Sequence, residues 1–158
     1  MYRQIEDFKQ DWTQAMKGTT LAFEALTDEK LDFSIVEGHN SLGWLAWHLT
    51  NAPMFFVHQA AQMPLVPVGD PKAVPTEAAV IVEGYKNIAN QILQAADKLT
   101  DEDLVEEVPF IQGTAKRGAI LRAVIDHQTH HRGQMTVLLR QAGLTVPPVM
   151  GPTQEMSK

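Results

Sequence analysis

Four stretches of this chain repeat apolar residues every three or four positions, and each is too long to be a strand. They run from about Tyr2 to Leu26, from Ser41 to about Gln62, from about Thr76 to Leu99, and from about Thr114 to Gly143. At ~1.5 Å per residue each spans roughly 30–40 Å. Helices of matched length bury their apolar stripes most simply against one another, as a bundle. The ends carry matching signals: Ser41 reads as an N-cap, Glu77 falls in a first turn, and Gly143 stands where a helix closes in a left-handed residue. The expectation is an all-α four-helix bundle filling residues 1–158 as a single domain. The runs Leu65–Val68 and Val105–Ile111 are too few to build a sheet.

The connector between the second and third helices constrains their order. Met63 to Pro75 contains Pro64, Pro67, Pro71 and Pro75. Proline-rich chain extends at ~3.1 Å per residue, so this link reaches ~40 Å, about one helix length. It permits a crossover and an up-down-down-up bundle without requiring it. A short repeat is also visible. Leu26-Thr27-Asp28-Glu29-Lys30-Leu31 follows the first helix and Leu99-Thr100-Asp101-Glu102-Asp103-Leu104 follows the third. A duplicated helix pair would give this pattern, and so would the common use of Thr-Asp-Glu at helix ends.

Composition excludes several functions. There is no cysteine, which removes disulfides, thiolate metal sites and a cysteine nucleophile. Any thiol chemistry must therefore use a thiol brought by a substrate. The net charge of -6 and the absence of a Lys/Arg run argue against a nucleic-acid partner. The start of the chain lacks an apolar signal region, and Ser41–Val68 is interrupted by His48, Asn51, His58, Gln59 and prolines. A cytoplasmic protein with no membrane span is expected. Met54, Phe55, Phe56 and Val57 are more apolar surface than one stripe needs, which suggests a homodimer.

The histidines carry the chemistry. His127 and His131 lie four apart in the fourth stretch, about 40° apart around a helix and one turn along it, so both rings can reach one ion. They interrupt the stripe Ile120, Val124, Met135, Leu138 that should face the core. His48 interrupts the stripe Leu45, Ala52, Phe55 of the second stretch in the same way. An unpartnered buried polar group costs about 1–3 kcal/mol, and one shared metal ion would satisfy all three rings. Neutral imidazole suits zinc, nickel, copper and ferrous iron better than magnesium or calcium. One divalent transition metal ion is expected, zinc or nickel ahead of iron or manganese. Three ligands leave a position open, as in catalytic sites. Asp126 and Gln134 are candidates to orient the ligands through their outer nitrogens, and His130 stands beside them. Arg132 is a candidate to bind an acidic group. His39 and His58 read as surface or interhelical residues rather than ligands. Pro53, one turn past His48, frees the carbonyl of Leu49 and should kink the helix or start a new segment. Gly133 would be explained by a close helix approach.

No glutamate follows His127; the residue there is Gln128, so the base of a zinc protease is missing. A metal can itself lower the pKa of bound water or thiol. That fits thiol transfer, isomerisation or hydrolysis.

The residues Ser41-Leu42-Gly43-Trp44-Leu45-Ala46-Trp47-His48-Leu49, the run His127 through Gln134 with His-His-Arg-Gly-Gln at its centre, and Leu138 through Gly143 followed by Val146-Pro147-Pro148 and Gly151-Pro152-Thr153 together resemble the DinB family of small bacterial metalloenzymes. The resemblance covers the second helix and everything from the fourth onward. It implies a four-helix bundle, commonly dimeric, with a three-histidine metal site that maps by position to His48, His127 and His131. Relatives include thiol transferases using bacillithiol, mycothiol or glutathione, and a mycothiol-dependent maleylpyruvate isomerase. The function implied is transfer of a low-molecular-weight thiol to a small electrophile. A metal-dependent hydrolase and a non-enzymatic metal-binding stress-response protein are the alternatives. No motif here assigns a particular thiol.

Overall fold

A computed structural model describes residues 1–157. It contains four long helices: α1 (Ile5–Glu24), α2 (Leu42–Pro53), α3 (Ala78–Ala96) and α4 (Arg117–Gln141). Their buried side chains form one contiguous core, with Phe8, Trp12, Phe23, Leu49, Ile81, Tyr85, Ile92 and Ile120 fully enclosed. No helix of the described residues is long and apolar enough to cross a membrane.

Contacts along the helices fix their directions. The amide of Tyr2 donates to Gly118 O at 3.0 Å, and Arg132 on α4 reaches Ala15 and Thr19 on α1, so α1 and α4 run the same way. Lys9 meets Asp97, Trp12 donates to Ala89 O and Glu24 meets Lys86, so α3 runs against α1. His48 meets His127 while Arg117 reaches back to Ala61, so α2 runs against α4. The order is up-down-down-up, the alternative that the proline-rich connector permitted. That connector travels the length of the bundle and is pinned twice: Trp47 Nε1 donates to Asp70 O at 2.8 Å, and Gln91 exchanges hydrogen bonds with both backbone groups of Val66. A Cβ on Gly69 would come within 2.8 Å of the Trp47 ring, so only glycine lets the strap lie flat there.

The repeated Leu-Thr-Asp-Glu segments do the same work twice. Asp28 Oδ1 accepts the amide of Ala78, the first residue of α3. Asp101 Oδ1 accepts the amide of Ile5, the first residue of α1. Each carboxylate satisfies an orphan donor at a positive helix end. The second residue of α2, Gly43, lies against Leu31 O, and that of α4, Gly118, against Leu104 O, with a Cβ at either position 3.0 and 3.2 Å from those oxygens. Matching roles at matching positions favour the duplicated helix pair over a coincidence of capping sequence.

Several expectations need correction. The fourth helix starts at Arg117, because Glu107–Phe110 and Gly113–Lys116 form a two-stranded antiparallel hairpin, β1–β2, with Thr114 in its second strand. Pro53 is the last residue of the second α-helix, and no cap restarts a helix before it at Thr50 or Asn51. The chain continues from Met54 to Ala60 as a π-helix, a wider winding than the α-helix before it. This winding packs Met54, Phe56 and Val57 against the core of the same chain and leaves Phe55 exposed. Gly133 has no close neighbour, so helix approach does not explain it. Other signals read as expected. Ser41 Oγ accepts the amide of Trp44. Gly143, at φ 79°, closes α4 with paired bonds from Gly143 N to Arg140 O and Leu144 N to Leu139 O.

Candidate metal centre

His48 projects from the middle of α2, and His127 and His131 from successive turns of α4, at the seam where these antiparallel helices meet. One ring nitrogen from each lies within 4.8 Å of those of the other two, with each residue half-buried. The Nε2 atoms of His48 and His127 are 3.1 Å apart. Two nitrogens bound to one tetrahedral zinc at about 2.0–2.1 Å would sit roughly 3.3 Å apart. The ring centroids of His131 lie 4.8 Å from His48 and 4.5 Å from His127.

The state of the protons supports this fit. Gln134 Oε1 lies 2.7 Å from His131 Nδ1, so that nitrogen donates and Nε2 keeps its lone pair. His127 Nδ1 is buried without a partner, while its Nε2 faces the Nε2 of His48. In the protein alone, one of two facing nitrogens must carry a proton or their lone pairs repel. A cation between them removes that conflict. Burial, then the neighbouring His131, His48 and His130, pushes the pKa of His127 down to about 4. Burial and His131 lower that of His48. Both rings are therefore neutral ligands at pH 7.

These shifts set a direction for stability. The unfolded chain protonates histidine below about 6.5, whereas folded His127 resists until about 4. The metal-free protein should keep the contribution of neutral His127 above pH 6.5 and lose it progressively as pH falls from there toward about 4. Thermal melts after chelation check this, with a shallower acid loss expected in His127→Gln, where the lowered pKa of His48 remains; equal acid sensitivity of both proteins would contradict it.

The outer candidates separate. Gln134 and His130 adjoin His131, the latter with its ring 4.9 Å away and exposed. Asp126 does not join them; it is exposed and held by Arg122 through Nε and Nη2 at 3.0 and 2.7 Å. Arg132 points the other way. It is 4% exposed, lies among α1, α3 and α4, and donates to Ala15 O and Thr19 Oγ1. It cannot receive an acidic substrate at the histidines, because one position along a helix turns a side chain about 100° from His131. Gln128 is on that inner side too, its Oε1 accepting from Thr19 and from Tyr85, whose pKa burial pushes up to about 12. His39 is exposed, and His58 accepts the amide of Leu65 through Nδ1.

Two aromatic neighbours were not foreseen. Trp44 stacks on His48, ring centroids 4.8 Å apart and planes within 8°, which holds that imidazole at a fixed tilt. Phe56 lies 5.1 Å from the His127 ring. Trp44 stands four residues before His48, a spacing that places both on one helix face and could have revealed it. Phe56 arrives through the π-helix, which no α-helical periodicity would show.

Comparison with known proteins places this geometry in context. The sequence profile of the DinB family matches residues 1–158. The protein YrdA of Bacillus subtilis (strain 168) is 36% identical over 156 residues, covering 98% of this chain and 93% of that one. The crystal structure of a DinB-like protein from Bacillus cereus ATCC 10987 superposes with a TM-score of 0.88 at 38% identity, covering 93% of this chain and 98% of that one. A DinB-like protein from Bacillus subtilis, YjoA, shares the fold at a TM-score of 0.70 and 19% identity, over 92% of this chain and 99% of that one.

Proposed function

The chain belongs to the DinB family, and from that premise we propose that it is a metal-dependent enzyme that transfers a low-molecular-weight thiol to a small electrophile, with one divalent transition ion held by His48, His127 and His131. The observation that carries this reading is the donor set. Three imidazoles converge from two antiparallel helices, and no carboxylate joins them among the described residues. Such a set suits zinc or nickel and leaves a coordination position for a substrate. A divalent ion held by His48, His127 and His131 would lower the pKa of a substrate thiol toward neutrality. The protein's own residues orient: Gln134 fixes the tautomer of His131, and Trp44 fixes the plane of His48. The chain contains no cysteine, so the thiol is a substrate.

Gln134→Leu should weaken zinc affinity about 10–100-fold while leaving the fold intact, since outer partners of ligating histidines contribute on that scale. Competition with a chromogenic chelator measures this; unchanged affinity would remove Gln134 from the account. The reaction is tested with zinc- or nickel-loaded protein, glutathione as the thiol and 1-chloro-2,4-dinitrobenzene as the electrophile. Loss of the electrophile that depends on both metal and thiol, and is absent in His131→Ala, supports transfer. Turnover of 4-nitrophenyl acetate without thiol would instead make the protein a hydrolase. Metal binding with neither activity across a panel of thiols and esters would make the ion structural.

A further inference from the structure

The histidines sit inside a continuous path of rings that extends well beyond them. From His48 it leads to Trp44 on one side. On the other it leads from His127 to Phe56, then to Phe55 at 5.1 Å, then to Phe110 of the hairpin at 6.1 Å. These rings are not closed over by the chain. Trp44 is 38% exposed, Phe55 is 45% exposed, and Phe56 and Phe110 are half-buried. Beyond Phe110, Ile111 stands at the hairpin tip, 79% exposed and at φ 53°. A β-branched residue is strained in that left-handed region, and strain of this kind concentrates at working surfaces. A glycine there would relieve it, and a polar residue would suit the solvent better.

The arginines of the helix that bears His127 and His131 are already used. α4 carries four arginines, and each is committed away from the rings. Arg117 holds Ala61 O, Asp103 O and Glu106; Arg122 holds Asp126; Arg132 lies in the core; Arg140 holds Glu155. An acidic substrate would find no arginine of this helix to receive it. Sites for small molecules combine an apolar wall with a few convergent polar groups, and here the convergent groups are the three imidazoles.

We propose that Trp44, Phe56, Phe55 and Phe110 form the binding wall for the body of the substrate, and that this substrate is an uncharged, flat, aromatic or similarly apolar molecule whose reactive end lies at the histidines. The assignment of that reactive end rests on the function proposed above; the wall itself does not need the metal. Flat apolar ligands gain from offset stacking and edge contacts on such rings, and the hairpin and the π-helix are the two irregular elements that bring Phe110 and Phe55 to it.

The test uses 4-nitrobenzyl alcohol, a neutral aryl quencher, titrated into the full chain with zinc and after chelation, reading tryptophan fluorescence. Trp12 and Trp47 are 0% and 3% exposed, so Trp44 reports. Saturable quenching is expected, with half-saturation raised about fivefold in Phe55→Ala and again in Phe110→Ala, and weaker binding of 4-nitrobenzenesulfonate. Linear quenching, identical in all variants, overturns the proposal. So does tight binding of the sulfonate, which would make the wall a site for anions. Linear quenching together with a dimer that dissociates in Phe55→Ala overturns it by assigning the wall to a second copy of the chain. Saturable quenching in a protein that binds no zinc would leave the wall standing and remove the metal-dependent reading instead.

Discussion

Arg132→Ala is expected to destabilise the fold by about 3 kcal/mol and to lower its melting temperature by about 6–12 °C. The side chain is almost wholly buried, and no carboxylate pairs with it among the described residues. Its guanidinium donates only to Ala15 O and Thr19 Oγ1 among the described residues. Truncation removes both hydrogen bonds, about 1 kcal/mol each, and leaves a cavity where the stem packed. Arg132→Met should lose less, because it keeps the stem volume and relieves a buried charge of its desolvation. Zinc affinity should stay within about twofold in either variant, since the side chain faces away from the histidines. Calorimetry with a parallel zinc titration decides. A stable Arg132→Ala protein with impaired substrate binding would return Arg132 to the site.

The second large effect is on ligand-linked stability. Zinc at about 1,000 times its dissociation constant should stabilise the wild-type fold by about 4 kcal/mol, a rise of about 8–16 °C for a chain of this size. The gain arises because the converged nitrogens exist only in the folded state. His48→Ala and His131→Ala should each lose most of it, since two imidazoles from a single element, or from one turn of contact, bind far more weakly than three. The metal-free melting temperature of His131→Ala should change little, because that ring is half-buried and its one side-chain hydrogen bond among the described residues is to the exposed Gln134. A zinc shift that survives in both variants would place the ion elsewhere.

The bundle and its histidine cluster were legible because they rest on period. A ring every three or four residues on two amphipathic helices can only converge at their seam, and the caps at Ser41 and Gly143 anchored the register. The features that escaped all break a period. β1 and β2 are four residues each, with Val108 the one buried side chain, too little alternation to signal a hairpin. Ile111 and Gln112 at its turn are not residues that announce one. The π-helix after Pro53 shifted Phe55 and Phe56 relative to the stripe that began at Leu45. Arg132 was misdirected by adjacency: its neighbour in sequence is a candidate ligand, but its neighbours in space are α1 and α3. The Leu-Thr-Asp-Glu repeat was visible as sequence, yet only the crossed bonds from Asp28 to α3 and from Asp101 to α1 give it a purpose.

The central claim is that three histidines from two helices hold one metal ion. Its most direct test is elemental mass spectrometry of the protein purified without a histidine tag, wild type beside His48→Ala and His131→Ala. The account predicts about one transition-metal ion per wild-type chain, zinc or nickel foremost, and loss of it in both variants. A wild-type protein without metal, and unmoved in its melting temperature by added zinc or nickel, would contradict it and leave the three imidazoles as hydrogen-bonded residues of the core.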